Sequence, residues 1–457
     1  MPSAAPPACR PSRATRVGAA AVALAVGTLC AWAVPAPAAG PAARGWPAFR
    51  GPWSTGHAAP PGSSAPVGLP LEWSESQHVA WKIAIPHRGW STPVVQDGRL
   101  WLTTATPKGH EFFAIGVDAA TGRVFFNERL FVAPDPEPLG NRVNSYASPS
   151  PVIEAGRVYV HFGSYGTACL DAATGACVWQ RRDLPCRHYR GPASSPILFE
   201  DLLILTMDGV DVQYVVALDK RTGHTVWRTD RSVEWHDLGP DGAPIREGDF
   251  RKAFSTPLVV RAAGRTQMIS LGAKAAYAYD PRTGKELWRV RHPGHSSAPM
   301  PVADGERAYI CTGHSHTKLY AIRLDGAGDV TETHVAWTYG DDVPLTASPI
   351  LSGGLITMVS DGGAVTCLEA ATGARVWRER IRGNFASSPI LADGRLYFAS
   401  QQGTATVMAA GREARVLATN RLEDGCMASP AVADGALFLR TKTHLYRIEA
   451  GRETAAP

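Results

Sequence analysis

The stretch Ala217-Leu-Asp219-Lys-Arg-Thr222-Gly223-His-Thr-Val-Trp227 decides the fold, because its spacing recurs four more times along the chain. Each copy has an acidic residue, a Thr-Gly pair beginning three residues later, and an aromatic residue four positions after the Gly. The other copies are Asp118-Thr121-Gly122-Phe126, Asp171-Thr174-Gly175-Trp179, Asp280-Thr283-Gly284-Trp288 and Glu369-Thr372-Gly373-Trp377. The carboxylate and hydroxyl can bond the turn backbone, and the Gly supplies a positive φ. Each copy therefore predicts a β-hairpin whose aromatic residue covers a neighbouring sheet.

A second repeat places two small residues and a proline before an apolar run, and it occurs eight times. The copies are Ser91-Thr92-Pro93, Ala147-Ser148-Pro149, Ser194-Ser195-Pro196, Ser255-Thr256-Pro257, Ser297-Ala298-Pro299, Ala347-Ser348-Pro349, Ser387-Ser388-Pro389 and Ala428-Ser429-Pro430. Successive prolines are 40 to 61 residues apart, a period typical of four-stranded propeller blades. The repeats predict an all-β, eight-bladed β-propeller of four-stranded antiparallel blades.

The last repeat ends at Ile448, one strand short of a complete blade. Residues 79–85, Val-Ala-Trp-Lys-Ile-Ala-Ile, precede the first triplet and look like the outer strand that Ala336-Trp337 marks in a later repeat. We therefore expect this N-terminal strand to complete the last blade and close the ring. Closure protects sheet edges that would otherwise pair with other chains.

Residues 1–38 have the order of a secretory signal, with Arg10, Arg13 and Arg16 before an apolar run and Ala36-Pro37-Ala38 after it. We expect cleavage after Ala38 and a periplasmic or secreted protein, with an uncleaved membrane anchor as the alternative. Residues 39–78 are assigned to an N-terminal extension, 79–450 to the propeller and 451–457 to a tail. After signal cleavage we expect no transmembrane domain, because no second hydrophobic stretch of that length follows.

The formal net charge of +5 does not indicate a nucleic-acid partner. Three of the 46 Lys and Arg residues lie in the first 38 residues, where no Asp or Glu occurs, so the rest nearly balance the 41 acidic residues. No long basic run is present to contact phosphates. We expect a monomer with no nucleic-acid partner.

The hairpin motif resembles the repeat Ala-x-Asp-x-x-Thr-Gly-x-x-x-Trp of quinoprotein-like propellers over about residues 46–449. In that family the Trp docks against a small residue two positions before the acid of an adjacent blade, a position held here by Cys169 and Cys367. The segment Trp46-Pro-Ala-Phe-Arg-Gly-Pro52 also resembles the leading motif of uncharacterised bacterial members. The superfamily contains pyrroloquinoline quinone (PQQ) dehydrogenases and a non-enzymatic scaffold of outer-membrane protein insertion, so the resemblance implies the fold and leaves the function open.

A PQQ- and calcium-dependent alcohol or sugar dehydrogenase is one alternative, in which an Asp acts as base. Dehydrogenases of this family carry two adjacent cysteines over the cofactor, and no Cys-Cys pair occurs here. Weak metal candidates remain: Asp208 and Asp211 as calcium ligands, and His314 and His316 on one side of a strand. We predict no cofactor. Cys169 and Cys177 flank a turn symmetrically, so they form a disulfide only if no bulge shifts the register.

Propeller ligands generally lie at one mouth of the channel, among the loops that enter the inner strands and those that join second and third strands. The entry loops supply Arg88, Trp90, Asn144, Tyr146, His188, Tyr189, Arg190, Lys252, Phe254, His295, Asn384 and Phe385. The other loops supply His110, Tyr165, Asp208, Asp211, Lys274, His314, His316, Asp361 and Gln401. Aromatic and Arg side chains suit a small ligand, a sugar ring or a peptide segment, or they fill and solvate a narrow channel.

Two connections, residues 131–144 and 230–252, exceed the usual turn length and are candidate binding loops. Together with the missing dehydrogenase signature, they favour a non-enzymatic binding or scaffold protein. We expect its protein, small-molecule or carbohydrate partner at the channel mouth. A carbohydrate-binding propeller is the second alternative, because aromatic residues at the mouth can stack on sugar rings.

Overall fold

A computed structural model of the protein describes residues 45–63, 65–141 and 143–453, which form a ring of eight β-sheets. The predicted signal peptide, residues 1–38, lies outside the described residues, as do 39–44 of the extension and 454–457 of the tail. The predicted all-β propeller with eight blades is confirmed. Among the described residues, helical structure is confined to a short 3₁₀ segment, Ile245–Arg251.

Each blade is a sheet of antiparallel strands that follow one another from the channel outward. Blade 1 contains β2 (Val94–Gln96), β3 (Arg99–Ala105), β4 (Glu111–Asp118) and β5 (Val124–Val132), and blade 2 contains β6 (Val152–Glu154), β7 (Arg157–His161), β8 (Thr167–Asp171) and β9 (Cys177–Arg181). Blade 3 contains β10 (Ile197–Phe199), β11 (Leu202–Asp208), β12 (Gln213–Asp219) and β13 (Thr225–Asp230), and blade 4 contains β14 (Leu258–Ala262), β15 (Arg265–Leu271), β16 (Ala275–Tyr279) and β17 (Glu286–Arg291). Blade 5 contains β18 (Val302–Ala303), β19 (Arg307–Cys311), β20 (Leu319–Arg323) and β22 (Val335–Tyr339), and blade 6 contains β23 (Ile350–Ser352), β24 (Leu355–Val359), β25 (Ala364–Glu369) and β26 (Arg375–Arg380). Blade 7 contains β27 (Ile390–Ala392), β28 (Arg395–Ala399), β29 (Thr404–Ala409) and β30 (Val416–Arg421), and blade 8 contains β31 (Ala431–Ala433), β32 (Ala436–Arg440), β33 (His444–Glu453) and β1 (Gln77–Ala84).

The ring closes where the N-terminal strand β1 pairs antiparallel with the C-terminal strand β33. Trp81 lies opposite Arg447 and Ile83 lies opposite Leu445. Blade 8 therefore takes three strands from the end of the chain and its outer strand from residues before blade 1, as the sequence predicted. This pairing connects sequence positions more than 350 residues apart, so the closure holds both ends of the described chain in one sheet.

Blade 4 departs from the four-stranded pattern, because the short strand β21 (Gly328–Asp329) pairs in parallel with its outer strand β17. This strand belongs to an excursion between β20 and β22 of the next blade. It covers Trp288, which is fully buried and donates its indole N–H to Oε1 of Gln267 at 2.8 Å. The indole of Trp288 therefore has its hydrogen-bond partner within its own blade instead of the next one.

Adjacent blades are joined by the aromatic residue of the hairpin motif. The indole N–H of Trp179 in blade 2 donates to the carbonyl of Lys220 in blade 3 at 3.0 Å. The Trp179 ring lies so close to Gly223 that a Cβ there would be 2.7 Å from it. Equivalent indole bonds run from Trp81 to Ala119, Trp227 to Pro281, Trp337 to Ala370 and Trp377 to Gly411. The Gly of the motif thus provides both the turn geometry and the surface on which the neighbouring aromatic ring packs.

In two blades, the proline of the repeat comes two residues later than the sequence pattern indicated, as the hairpin registers show. Val94 pairs with Trp101 in blade 1, and Val152 pairs with Tyr159 in blade 2. Pro151, not Pro149, is therefore equivalent to Pro93. The same shift makes Pro301 the equivalent residue in blade 5, where Val302 pairs with Tyr309. Both blades have a second proline two residues after the first, which hid the true alignment.

The disulfide considered between Cys169 and Cys177 does not form, and both thiols are free. A β-bulge after Cys169 places Leu170 opposite Cys177 and leaves Cys169 opposite Trp179. Cys169 is buried and Cys177 is exposed. Cys367 is likewise buried and lies opposite Trp377 of its own blade. Both buried cysteines therefore lie opposite the Trp of their own blade, and not of an adjacent blade as the family resemblance implied.

Gly223→Ala is expected to destabilise the protein by roughly 2–4 kcal/mol, because it combines the cost of a side chain at φ +76° with a clash against Trp179. Gly156→Ala is the matched control, since its φ is +77° and nothing lies within 4 Å of a Cβ there. Its cost is expected to be about 1 kcal/mol, from backbone strain alone. Urea unfolding measures both values, and equal losses for the two variants would contradict the docking role of Gly223.

Candidate functional site

The loops that enter the inner strands and the loops that join second and third strands lie at the same end of the ring, because the strands of each blade alternate in direction. We call this end the rim face. All the residues nominated from the sequence as rim candidates lie in or beside these loops. The opposite end carries the tight hairpins, including the Thr-Gly turns.

The channel at the rim face narrows to a small cavity of about 110 Å³. Phe49, Trp90 and Phe254 line it together with small residues that precede or begin the inner strands. Asn144 also reaches this cavity. Aromatic rings and hydroxyl groups therefore occupy most of the axis on the rim side.

A ring of hydrogen bonds links the inner strands around this cavity. The amide of Thr92 donates to Ser150 Oγ at 2.9 Å, and the amide of Ser150 donates to Ser195 Oγ at 2.9 Å. The same bond runs from Ser195 to Thr256, Met300 to Ser348, Ser348 to Ser388 and Ser388 to Ser429. The ring is interrupted after Thr256, because Met300 has no hydroxyl to accept the next bond, and again after Ser429, because Thr92 Oγ1 accepts no bond among the described residues. Residues that directly precede the inner strands thus join six of the eight pairs of neighbouring blades at the axis.

The N-terminal segment, residues 45–58, lies along the free edges of four inner strands. Trp46 pairs with Val95 of blade 1, and the carbonyl of Pro47 accepts the amide of Ile153 of blade 2 at 2.8 Å. Farther along, the amide of Ala58 donates to the carbonyl of Leu391 in blade 7 at 2.8 Å, and the amide of Leu391 donates to the carbonyl of Gly56 at 2.9 Å. We call residues 45–58 the channel plug. This part of the predicted N-terminal extension, residues 39–78, bonds the inner strands of the propeller.

Arg50 anchors the channel plug from a fully buried position. Its guanidinium donates to the carbonyl of Pro349 at 2.8 Å and to the carbonyls of Pro389 and Thr55. No carboxylate pairs with it among the described residues, and burial lowers its pKa to about 9. The sequence motif around Trp46 gave no indication that this Arg would bridge blades 6 and 7.

The metal candidates from the sequence are not brought together. Asp208 forms a buried bidentate ion pair with Arg231, with N–O distances of 2.7 and 3.0 Å. Arg231 also contacts Ser270 and Tyr279, so its charge and that of Asp208 are both satisfied. Asp211 accepts the amide of Arg187 at 2.7 Å. Sequence reasoning missed Arg231, which lies 23 residues from its partner.

The two histidines on the β19–β20 loop are exposed, and their neighbours orient them differently. His314 stacks on His295, with ring centroids 6.1 Å apart, and the backbones of the two residues pair. His316 has a φ of +128°, which breaks the strand geometry needed to place both rings on one side. The described residues contain no group of three His, Cys, Asp or Glu side chains placed to hold a metal ion.

His188 lies at the base of an open pocket of about 460 Å³ on the rim face. Its Nε2 accepts the amide of Ser164 at 3.2 Å, so its Nδ1 carries the proton and faces the Cys186 sulfur at 3.6 Å. Burial lowers the pKa of His188 to about 4 and raises the pKa of Cys186. A neutral imidazole that donates to a protonated thiol is a packing arrangement and not an activated nucleophile.

Tyr189, Arg190 and Lys252 form a second cluster next to this pocket. The Arg190 guanidinium lies 4.6 Å from the Tyr189 ring centroid, and the Lys252 ammonium lies 5.6 Å from it. Lys252 is almost fully buried and is paired with Asp249. The amide of Tyr189 donates to the carboxylate of Glu137 at 2.9 Å, which holds this residue at a φ of +61°.

The remaining rim candidates have local structural roles or lie in other sectors. Asn144 donates to three carbonyls of residues 190–192, and Tyr146 donates to the carbonyl of Glu137 at 2.7 Å. Arg88 stacks on Trp90 beside blade 1, with 4.9 Å between the guanidinium and the ring. Asp361 accepts bonds from residues 345 and 346, Phe385 is fully buried, and Asn384 is exposed above blade 7. The candidates thus form one dense sector over blades 2 to 4 and scattered points elsewhere.

The two long connections meet within this dense sector. Arg187 pairs with Glu137 of the first connection at 2.8 Å and lies 4.0 Å from Glu247 of the second. Large apolar side chains are exposed on both connections: Val143 is 52% exposed, Leu238 62% and Ile245 48%. We call residues 133–144 and 231–251 with Arg187 the rim sector. The sequence identified both loops but not the exposed apolar residues as a group.

The axial cavity does not fit PQQ with calcium. Pockets for ligands of this size are about 300 Å³ or larger, whereas the axial cavity is about 110 Å³ and is bordered by the ring of small residues. The carboxylate of Asp208, a calcium candidate from the sequence, is fully buried and paired with Arg231. No catalytic step through the quinone follows from these residues.

Comparison with known proteins relates the chain to two groups of propellers. The family model described as outer membrane protein assembly factor BamB matches residues 67–183 and 211–452. The protein of that name from Yersinia pestis is 24% identical over 173 residues, which are 36% of this chain and 39% of that protein. The matched part thus spans about two fifths of that relative.

Solved structures of both groups share the fold. BamB from Moraxella catarrhalis has a TM-score of 0.56 and 13% identity, covering 83% of this chain and 99% of that one. Quinohemoprotein alcohol dehydrogenase from Comamonas testosteroni has a TM-score of 0.64 and 14% identity, covering 90% and 82%. A europium-containing methanol dehydrogenase has a TM-score of 0.63 and 12% identity, covering 86% and 89%. At these identities the similarity establishes the fold and not the activity.

No helix in the described parts of the chain has the length and apolar character needed to cross a bilayer.

The neutral state of His188 predicts a specific loss of stability in acid. Its folded-state pKa is about 4 against an ordinary 6.5, so its contribution is fully present above pH 6.5 and is lost as the pH falls from 6.5 towards 4. Over this pH range, the free energy of unfolding falls by about 3 kcal/mol because of His188. Urea unfolding at pH 7 and pH 4.5 is expected to show a smaller pH-dependent loss for His188→Gln than for the wild type. The exposed His224→Gln should behave as the wild type, and an unchanged pH dependence in His188→Gln would refute the assignment.

Proposed function

The chain belongs to the propeller family described as outer membrane protein assembly factor BamB, and from this we propose that it is a non-enzymatic binding scaffold of the bacterial envelope. Its partner is a protein that docks on the rim sector. The periplasmic or secreted location, the signal peptide and the monomeric state predicted from the sequence are part of this proposal. The family description supports a role in assembly with other proteins, and the fold alone supports no particular chemistry.

The exposed apolar side chains of the rim sector carry the proposal. Leu238 and Ile245 lie on a connection of more than twenty residues, and Val143 lies on the connection next to it. Large apolar residues that are exposed together on long loops are typical of protein-interaction surfaces. Arg and aromatic residues are enriched at interfaces, and Arg190 and Tyr189 both bond the connection that carries Val143, at Gly140 and Glu137.

The rim sector is ordered enough to present a defined surface. Asp237 pairs with Arg251 at 2.9 Å, and the Arg251 guanidinium lies 5.7 Å from the Trp235 ring. Leu238 forms a backbone bridge with Pro244, so the apolar tip of the loop is closed by its own contacts. A preorganised loop lowers the entropy cost of binding compared with a flexible one.

The polar groups that an oxidoreductase of this fold would use are engaged in structural contacts, which supports a scaffold role. Asp208 is paired with Arg231, and Asp361 caps residues 345 and 346. The dehydrogenase alternative is favoured by the structural similarity to quinohemoprotein alcohol dehydrogenase, and it is tested separately below.

Leu238→Asp combined with Ile245→Asp is expected to abolish capture of the partner from a periplasmic extract, because two charges would have to be buried in an apolar contact. Val226→Asp is the matched control: Val226 is 53% exposed, but it lies on the outer strand of blade 3. The measurement is affinity capture with each variant followed by mass spectrometry. Loss of the same partner with Val226→Asp, and its retention with the double variant, would place the docking surface elsewhere.

Calorimetric titration with PQQ and calcium is expected to give no binding heat, and a dye-linked alcohol oxidation assay is expected to give no turnover. The physical reason is the small axial cavity together with the committed carboxylate of Asp208. Binding and turnover that are lost in Asp361→Asn but retained in the exposed control Asp230→Asn would establish the dehydrogenase alternative instead.

A further inference from the structure

We propose that the axial cavity of the channel binds a small monovalent inorganic anion of about the size of chloride. This site is distinct from the rim sector and does not depend on the proposed partner. The inference rests on three features: hydroxyl groups with free protons at the axial cavity, two buried cations beside the hydroxyl ring that have no carboxylate partner among the described residues, and a cavity of suitable size.

The hydroxyl ring presents hydrogen-bond donors to the cavity. Each ring oxygen accepts a backbone amide, as Ser388 Oγ does from Ser348 at 2.9 Å, so its own O–H remains available. Among the described residues, these O–H groups have no protein acceptor. The ring hydroxyls are those of Ser150, Ser195, Thr256, Ser348, Ser388 and Ser429.

Two further donors at the cavity are buried and unpaired. Thr92 is 1% exposed, lines the cavity, and its Oγ1 has no partner among the described atoms. The indole N–H of Trp90 lines the same cavity and is also without a partner. Buried polar groups normally find a partner, and each one left unsatisfied is costly. Donors that converge without acceptors are suited to an anion.

Two buried guanidinium groups lie next to the ring. Arg50 donates to the carbonyls of Pro349 and Pro389, which directly follow the ring residues Ser348 and Ser388. Arg440 is 2% exposed and donates to the carbonyl and hydroxyl of Ser91, which directly precedes Thr92. Neither cation has a carboxylate partner among the described residues, so both charges are balanced only by dipoles.

Such charges are costly to bury unless an opposite charge is near. The cause of the lowered pKa of both residues, about 9 in each case, is burial alone. A monovalent anion at the axis would offset this cost, and the hydroxyl and indole donors would solvate it. The cavity of about 110 Å³ accommodates one such ion with a few water molecules, since a water molecule takes about 30 Å³. A larger organic anion would not fit.

The test is a crystal structure of the protein grown in sodium bromide, with diffraction data collected at the bromine absorption edge. The expected result is an anomalous peak on the axis inside the hydroxyl ring. Density on the axis without anomalous signal, meaning water only, would overturn the proposal. Bromide found at exposed Arg residues and absent from the axis would overturn it as well.

Variants separate a built site from an accidental one. Thr92→Val with Ser388→Ala removes two donors and is expected to lower the axial peak by at least half at the same bromide concentration. Ser352→Ala, on the inner strand of blade 6 but outside the ring, is the control and should leave the peak unchanged. An undiminished peak in the double variant would show that the ring does not hold the ion.

A solution measurement covers the case in which the double variant does not crystallise. Replacing gluconate by chloride at constant ionic strength is expected to raise the thermal midpoint of the wild type by several degrees, because a ligand of the folded state stabilises it. The shift should be smaller in the double variant and unchanged in Ser352→Ala. Equal midpoints of the wild type in both salts would contradict the site.

Discussion

The free inner edges of the eight sheets are the constraint on which the rest of this structure depends. Each inner strand has a sheet neighbour on one side only, so its other edge presents amides and carbonyls to the channel. Buried backbone groups must be hydrogen-bonded, and open edges invite other strands. The protein meets this requirement with its own residues, through a ring of Ser and Thr hydroxyls on the rim side and the channel plug along four of the inner strands.

This solution determines where binding can take place. The plug and ring leave a cavity of about 110 Å³ at the axis, which is smaller than the pockets that hold drug-sized ligands. The outer surfaces of the blades are joined by indole contacts between neighbours, as between Trp179 and Lys220. The long connections over blades 2 to 4 carry exposed apolar side chains, and the proposed function places the docking surface there.

The fold could be predicted from the sequence because it is repeated. The Asp-Thr-Gly-Trp spacing specifies local turns, and the strand at 79–85 completes a blade that visibly lacks one strand. The two-residue shift in blades 2 and 5 escaped prediction, since two prolines compete for one position. The sequence pattern also could not exclude the Cys169–Cys177 disulfide, because a bulge of one residue decides which side chains are opposite each other.

The candidate site was predictable only as a set of loops. The positions of the rim loops follow from the strand order, but the contacts of each side chain depend on residues distant in sequence. Arg231 neutralises Asp208, and Glu137 positions Tyr189 from another blade. Arg50 belongs to no repeat, so no periodicity could indicate that it would bridge two blades at the axis.

Hydrogen–deuterium exchange of the channel plug tests the central claim, that the chain closes its own channel and confines partner binding to the rim. The amides of Trp46, Ala58 and Leu391 donate to backbone carbonyls across the channel at 2.7 to 2.9 Å. The account predicts that they exchange as slowly as the amides of the central strands β3 and β28. Exchange of these amides as fast as that of the exposed loop around Leu238, with the central strands still protected, would show that the plug is not bound and would contradict the account.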